Sequence, residues 1–277
     1  MFMDKMGLIR CFEHTEKLCK EKGRLRKAIE KSIEGTKFYA EGDTPPLPAP
    51  RFDETGVSVR KGRSFETAMA YREKFPKARI AVHDFAFALT PGGGVREGSL
   101  SQEASLCRCS TLLSALDTKE NASRFYNLHN EQHNKRYTDA CIWIPDILII
   151  KTDDLQPMRL LETQWTSVDI LACAAPYSGE NPMEKMDILG DDERLFSLHV
   201  QRGRHLLSVA AANRADILIL GAFGCGVLKN SPEVVAESYR HILPEFNGQF
   251  QEVAFAIYQE PHELDYFRAF VKAFDGR

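Results

Sequence analysis

ARIAVHDFAFALTPGGGVREGSLSQEASLCRCSTLL, residues 78–113, is the stretch that decides the fold. The mostly apolar residues 78–88 predict a buried β-strand, and a helix is predicted over residues 102–116, beyond a glycine-rich loop. Where order is required, each glycine costs roughly 0.5–1 kcal/mol relative to alanine, because glycine loses more backbone freedom on folding. Three adjacent glycines therefore indicate a loop whose backbone a ligand approaches closely.

Residues 215–240, ADILILGAFGCGVLKNSPEVVAESYR, repeat this arrangement. An apolar strand leads into a second glycine-rich loop, and a helix is predicted to begin with Ser231 as its N-cap and Pro232 at its first position. The N–H groups of such a loop can converge on phosphate oxygens. Neither a P-loop nor a G-x-G-x-x-G pattern is present, so this loop alone is equally compatible with a plain strand-to-helix turn. Two such loops, each after a strand, predict a cleft that closes over a diphosphate.

The rest of the chain predicts a layered α/β fold with a largely buried sheet, because strand-like and helix-like segments alternate from residue 51 onward. Residues 5–34 carry apolar side chains at three-, four- and seven-residue spacings, which predicts one or two amphipathic helices. The proline-rich residues 42–50, GDTPPLPAP, predict a linker. We therefore expect a helical extension and linker over residues 1–50 and the main domain over residues 51–277.

Composition argues against several classes of partner. The chain has 277 residues, and 36 basic against 39 acidic side chains leave a formal charge of −3, so no general binding of nucleic acid or anionic membranes is expected. No apolar run reaches the roughly 18 residues of a membrane span. Seven cysteines without a C-x-x-C pair are typical of reduced thiols, and a cytoplasmic location is expected.

The first loop carries a family resemblance. Residues 91–108 read P-G-G-G, seven residues, Q-E, one residue and S-L-C-R, which resembles the signature of microbial-type poly(ADP-ribose) glycohydrolases, a branch of the macrodomain superfamily. GAFGCGVLKNSP at residues 221–232 is similar to that family's second phosphate loop, and YTDACIWIPDILIIKTDD and SVDILACAAP look like its interior strands. The resemblance runs from about residue 35 to the C-terminus. It implies a macrodomain-like three-layer α/β/α fold with a mixed central sheet.

The resemblance also implies the ligand, which is ADP-ribose or an ADP-ribosylated macromolecule bound without a cofactor or a metal ion. The ligand-binding positions that it implies are Asp84, Thr90, Gly92, Gly93, Gly94, Val95, Gln102, Gly224, Cys225, Gly226, Val227 and Leu228. Asp84 is an acidic residue on an apolar strand just before a ligand loop, so it is expected to accept the adenine amino group. Cys225 is expected to pack as a small apolar residue rather than to act as a nucleophile.

The catalytic positions depart from the family pattern. In the family the loop ends in Q-E-E, and the second glutamate is taken to protonate the departing ribose oxygen. This chain reads Gln102, Glu103 and Ala104, which leaves Glu103 to orient the ribose and a methyl group at the acid position. Losing a positioned acid typically removes a rate factor of about 10²–10⁴. An impaired glycohydrolase and an ADP-ribose reader without turnover therefore both stay open.

Three further positions of this chain differ from the family pattern, which also favours weak catalysis. Asp84 and Thr90 stand where the family has asparagines, and Leu228 replaces an aromatic residue. Glu97 is the other carboxylate of the loop and an alternative acid, although its neighbours Arg96 and Gly98 suggest a solvated turn.

Several weaker signals are assigned structural roles. His129 and His133 stand four residues apart without an obvious third ligand, so no metal site is predicted. Three aromatic residues flank the loops, and a core position is expected for each rather than a stack on adenine: Phe85, Phe87 and Phe223. The long helix predicted over residues 191–212 is expected to expose Arg202, Arg204 and His205 to solvent.

Overall fold

A computed structural model of the protein describes residues 3–132, 134, 136–178, 192–259 and 265–274. Its seven strands are β1 Lys37–Tyr39, β2 Gly56–Lys61, β3 Ile80–Phe85, β4 Cys141–Ile149, β5 Thr166–Cys173, β6 Ile217–Leu220 and β7 Glu252–Ile257. They form one sheet in the order β1-β4-β5-β3-β6-β7-β2. The β1–β4 and β4–β5 pairs are antiparallel, and the remaining pairs are parallel, so the sheet is mixed as expected.

The helices cover both faces of this sheet. They are α1 Lys5–Glu21, α2 Gly23–Gly35, α3 Ser64–Lys74, α4 Gln102–Cys109, α5 Leu112–Leu116, α6 Lys119–Asn121, α7 Asn127–Gln132, α8 Asp192–Ala212, α9 Pro232–Ile242 and α10 Tyr266–Phe274. One core cluster joins α1 to α5 to the sheet through residues such as Phe65 and Leu106. A second cluster joins α8 to α10 to the other face through Leu206 and Phe270. The predicted three-layer α/β/α fold is thus confirmed.

Helix α9 begins where the sequence predicts. The Ser231 side chain accepts a hydrogen bond from the Val234 N–H, and Pro232 opens the helix. The prediction of a single helix over residues 102–116 is wrong, because the chain turns aside between α4 and α5. There Ser110 forms a bridge with Ile149, and the Thr111 hydroxyl accepts from the Leu148 N–H at 3.0 Å. Pairing with strand β4 therefore replaces one turn of helix.

The first fifty residues share the core of the sheet. Phe12 and Leu25, on α1 and α2, are buried in the same cluster as the residues of β3 and β4. The Thr15 hydroxyl donates to the Arg108 carbonyl at 2.6 Å, and β1 adds an edge strand, with Lys37 opposite Trp143. The division at residue 50 stays a prediction, and the structure adds that both sides of it contribute to one packed interior.

The sequence predicts no membrane-spanning segment. Among the described residues, no helix combines the length and the apolar character needed to cross a bilayer.

A cleft between two glycine loops

The two glycine loops follow neighbouring strands, β3 and β6, at the point where these strands separate. Strands β3 and β6 pair only as far as Val82 and Ile219, whereas β3 continues to pair with β5 as far as Phe85. From β3 the chain proceeds toward β4 on one side of the sheet, and from β6 it proceeds toward β7 on the other side. In open α/β sheets such a divergence leaves a crevice at the carboxyl ends of the strands, where ligands bind.

Gln102 fills the place that β6 vacates beside β3. Its Oε1 accepts from the Phe85 N–H at 3.0 Å, and its Nε2 donates to the His83 carbonyl at 2.8 Å and to the Ser64 hydroxyl at 3.0 Å. Backbone groups buried without a partner are costly, so the amide satisfies two that the separated strand leaves open. Gln102 thereby supports the wall of the crevice, while its predicted contact with a ligand stays a prediction.

The first loop needs its glycines for its own packing. Gly92, Gly93 and Gly94 have φ values of +90°, +56° and +77°, in the left-handed region that favours glycine. A Cβ atom at Gly93 would lie 2.6 Å from the Ser101 hydroxyl and 3.0 Å from Glu103 Oε2. The glycine run is therefore explained in part by close packing of the loop on α4. After it, Val95 is buried at the start of a short 3₁₀ turn, and Thr90 before it is exposed.

Glu103, on helix α4, anchors the first loop. Its side chain is buried, with Oε2 accepting from the Phe87 N–H at 2.7 Å and Oε1 accepting from the Gly92 N–H at 2.9 Å. Burial raises the pKa of the carboxyl to about 8, and the two N–H donors offset part of that rise. Glu103 therefore joins α4 to the first loop at Phe87 and at Gly92.

Asp84 lies on the same face of the sheet as Glu103 and is fully buried. Neither carboxylate oxygen has a hydrogen-bond partner among the described residues, and the same holds for the nearby Tyr126 hydroxyl. Burial raises the pKa of Asp84 well above its ordinary value, and the charge of Glu103 raises it further. Asp84 has no exposed surface, and its predicted contact with an adenine amino group stays a prediction.

The position at which the resemblance implies the acid holds a buried methyl group. Ala104 is completely buried, and its N–H donates to the Ser101 hydroxyl at 3.2 Å. A longer side chain would have to displace its neighbours. The alternative acid, Glu97, is exposed on the 3₁₀ turn, as its neighbours suggested.

The second loop is held by a residue that the sequence analysis missed. Asn230 is buried, and its Nδ2 donates to the carbonyls of Pro176 at 2.7 Å, Gly224 at 3.1 Å and Leu228 at 3.1 Å. Gly224 has a φ of +78°, and a Cβ atom there would lie 2.7 Å from Asn230 Nδ2. An asparagine between a glycine loop and an N-cap serine was the available signal.

The remaining residues of the second loop differ in exposure. Cys225 is buried, which confirms its predicted packing role, and its carbonyl accepts from the Tyr266 hydroxyl at 3.2 Å. Gly226 and Val227 are exposed, and Leu228 is half-buried.

Both loops present N–H groups from which no described residue accepts a hydrogen bond. No described residue accepts a hydrogen bond from the N–H groups of Gly93 and Gly94 in the first loop. The same is true of three consecutive N–H groups in the second loop, those of Gly226, Val227 and Leu228. Successive unpaired N–H groups are the donors from which anion sites are made. The arrangement is suited to a ligand with more than one phosphate.

The flanking aromatic residues take three different positions. Phe223 is buried against His83, with ring centroids 4.4 Å apart, and Phe85 is half-buried beside it. The expected core position is wrong for Phe87, whose side chain is 43% exposed at the start of the first loop. Its N–H is bonded to Glu103, so the backbone is fixed while the ring faces solvent.

Helix α8 buries two side chains that the sequence predicts to be exposed. Arg202 is buried and donates to the carbonyls of Tyr137 at 3.0 Å and Thr138 at 3.3 Å, and His205 is fully buried. Arg204 alone of the three is partly exposed, in an ion pair with Glu245 at 2.7 Å. The predicted solvated face is therefore wrong for Arg202 and His205, because α8 packs beneath the loop that leads into β4.

Of the two histidines His129 and His133, only His129 lies among the described residues. His129 is buried, with its Nε2 2.8 Å from the Thr138 hydroxyl, and His133 lies outside the described residues. Among the residues that are described, no group of three histidine, cysteine, aspartate or glutamate side chains is arranged to hold a metal ion.

Comparison with known proteins identifies one matching family and several similar structures. The profile of the family described as "Microbial-type PARG, catalytic domain" matches residues 9–152, more than half of the 277-residue chain. Poly(ADP-ribose) glycohydrolase (PARG) from Thermomonospora curvata has a similar structure, with a TM-score of 0.81 and 25% identity over 97% of this chain and 100% of that chain. With the inhibitor ADP-HPD bound, that enzyme gives a TM-score of 0.80 and 25% identity over the same shares.

PARG from Deinococcus radiodurans in complex with ADP-ribose is also similar, with a TM-score of 0.75 and 28% identity over 89% of this chain and 97% of that chain. No protein of curated function matches the sequence. The family profile begins inside α1, so the matched part includes most of the N-terminal helices.

Proposed function

Because the chain belongs to the microbial-type PARG family, we propose that it binds ADP-ribose, with the diphosphate between residues 92–94 and residues 224–228. The observation that carries this proposal is the two sets of N–H groups, in the loops after β3 and β6, that have no acceptor among the described residues. Related structures with ADP-ribose or ADP-HPD bound support the choice of ligand. The partner is then free ADP-ribose or an ADP-ribosylated macromolecule. The formal charge of −3 argues against general nucleic-acid or membrane binding, and we place the protein in the cytoplasm.

Recognition should exceed turnover in this chain. Glu103 anchors the first loop and orients the terminal ribose, while the buried methyl group of Ala104 supplies no proton. Without a positioned acid, hydrolysis slows by a factor of about 10²–10⁴. The chain is accordingly an ADP-ribose-binding protein whose glycohydrolase activity is weak.

Binding can be tested at Gly226 without disturbing the fold. This glycine is exposed, its φ is not positive, and a Cβ atom would meet nothing within 4 Å. We expect Gly226→Leu to weaken ADP-ribose binding at least tenfold in calorimetry while the free energy of unfolding stays unchanged. Gly93→Leu would be a poor probe, because the left-handed backbone and the contact with Ser101 would strain the fold.

The matched control is Gly23→Leu, at an equally exposed glycine at the start of α2. This variant should bind ADP-ribose like the wild-type protein. Absence of binding heat from the wild-type protein at millimolar ADP-ribose would overturn the proposed function.

A second candidate, slow hydrolysis with Glu103 as the acid, is favoured by its raised pKa. A carboxyl with a pKa of about 8 holds a proton at neutral pH and loses it in alkaline solution. Release of ADP-ribose from an ADP-ribosylated protein should then fall above about pH 8, and Glu103→Gln should abolish it. A rate that is independent of pH between 6 and 9 would exclude this role.

A further inference from the structure

A chain of buried hydrogen bonds connects helix α8 to the second loop. His199, on α8, is buried, and its Nε2 lies 2.7 Å from Asn230 Oδ1. The Asn230 Nδ2 in turn reaches the carbonyls of Pro176, Gly224 and Leu228. Neither His199 nor Asn230 has an exposed surface from which to touch a ligand.

The direction of these bonds is fixed by their chemistry. Three carbonyl oxygens surround one end of the Asn230 amide, so that end must be the NH₂ group, and Oδ1 must face His199. His199 therefore carries its proton on Nε2 and donates it to Asn230 Oδ1. Burial lowers the pKa of His199 to about 4, so the imidazole stays neutral at physiological pH.

The bonded carbonyls lie next to the loop N–H groups that have no acceptor in the described part of the chain. The Gly224 and Leu228 carbonyls lie on either side of the N–H groups of Gly226 and Val227, and the Asn230 N–H also donates to Gly224. The Leu228 carbonyl accepts a further bond from the Ser178 N–H at 2.9 Å, beyond the end of β5. The loop is thus closed on itself and attached to the neighbouring segment.

We propose that Asn230, oriented by His199, is a positioning residue that holds the N–H groups of residues 226–228 in place for the diphosphate. This inference rests on the proposed function for its ligand, but the ordering of the loop is a property of the ligand-free protein. Without the amide, the carbonyls of Pro176, Gly224 and Leu228 lose this donor, and the Gly224 and Leu228 carbonyls keep only their backbone donors. The loop then has less to keep its N–H groups together.

The test compares two buried asparagines. Asn121 is also buried, and its Nδ2 donates to two backbone carbonyls, those of Ala115 and Leu116, away from the crevice. Asn230→Ala should weaken ADP-ribose binding at least tenfold in calorimetry, whereas Asn121→Ala should leave it within twofold of wild type. Both variants lose a buried amide, so a general loss of stability would affect them alike.

The role of His199 is tested by rescue. His199→Phe retains an aromatic ring but removes the donor, and should weaken binding toward the level of Asn230→Ala. His199→Gln supplies an amide donor, and should restore at least part of the lost affinity.

Hydrogen exchange of the ligand-free protein tests the inference separately from the proposed function. The amides of Ser178 and Lys229 are hydrogen-bonded within the loop network, to the carbonyls of Leu228 and Gly226. Asn230→Ala should speed their exchange at least tenfold, and Asn121→Ala should not. If the wild-type protein fails to bind ADP-ribose, the proposed function fails, and the exchange rates alone decide whether Asn230 orders the loop. Wild-type exchange in Asn230→Ala, or wild-type affinity in a protein that binds, would overturn the inference.

Discussion

At the scale of single residues, Asp84 gives the clearest pH dependence. Its pKa is raised well above the ordinary value near 4, because the carboxyl is buried and Glu103 lies close by. As the pH rises above 4, the unfolded chain releases this proton before the folded chain does, so the contribution of Asp84 to the free energy of unfolding falls. Asp84→Asn should therefore gain stability relative to wild type between pH 4 and 7, by up to about 1.4 kcal/mol per pH unit. Urea unfolding at three pH values measures the difference, and a pH-independent difference would contradict the prediction.

At the scale of elements, helix α4 carries position 104, where the family resemblance implies the acid. Ala104 is fully buried on it, so a larger side chain overpacks the site at a cost of about 1–3 kcal/mol. We expect Ala104→Glu and Ala104→Gln to lower the free energy of unfolding by similar amounts, and only the glutamate variant to gain ADP-ribose release. Equal turnover in the two variants would show that position 104 does not supply the acid.

The elements also show what a sequence pattern can predict. The glycine loops, the Ser231 cap and the alternation of strands and helices were all readable, because each depends on local backbone chemistry. Three features could not be predicted from the sequence, because each depends on segments distant in sequence. They are the break in the helix at Ser110, the burial of Arg202 and the burial of Asp84. Asn230 was missed for the same reason, since one of its three carbonyl partners belongs to Pro176, 54 residues away.

At the scale of the whole molecule, the N-terminal helices are part of the cooperative unit that the shared core implies. Phe12 on α1 is 2% exposed and packs in the cluster beneath the sheet, whereas Met6 on the same helix is 55% exposed. Phe12→Ala should cost about 3–5 kcal/mol of unfolding free energy, and Met6→Ala at most about 0.5. Both proteins should unfold in one transition when tryptophan fluorescence and circular dichroism are compared. A separate early transition in Phe12→Ala would instead indicate an independent extension over residues 1–50.

The two borders of the sheet bear on how the molecule behaves in a crowded solution. One border strand, β1, is only three residues long, and the other, β2, ends in the exposed cations Arg60 and Lys61. Long, flat, uncharged borders are templates on which further chains can polymerise, and short or charged borders suppress such growth. The architecture therefore protects the protein against edge-to-edge aggregation.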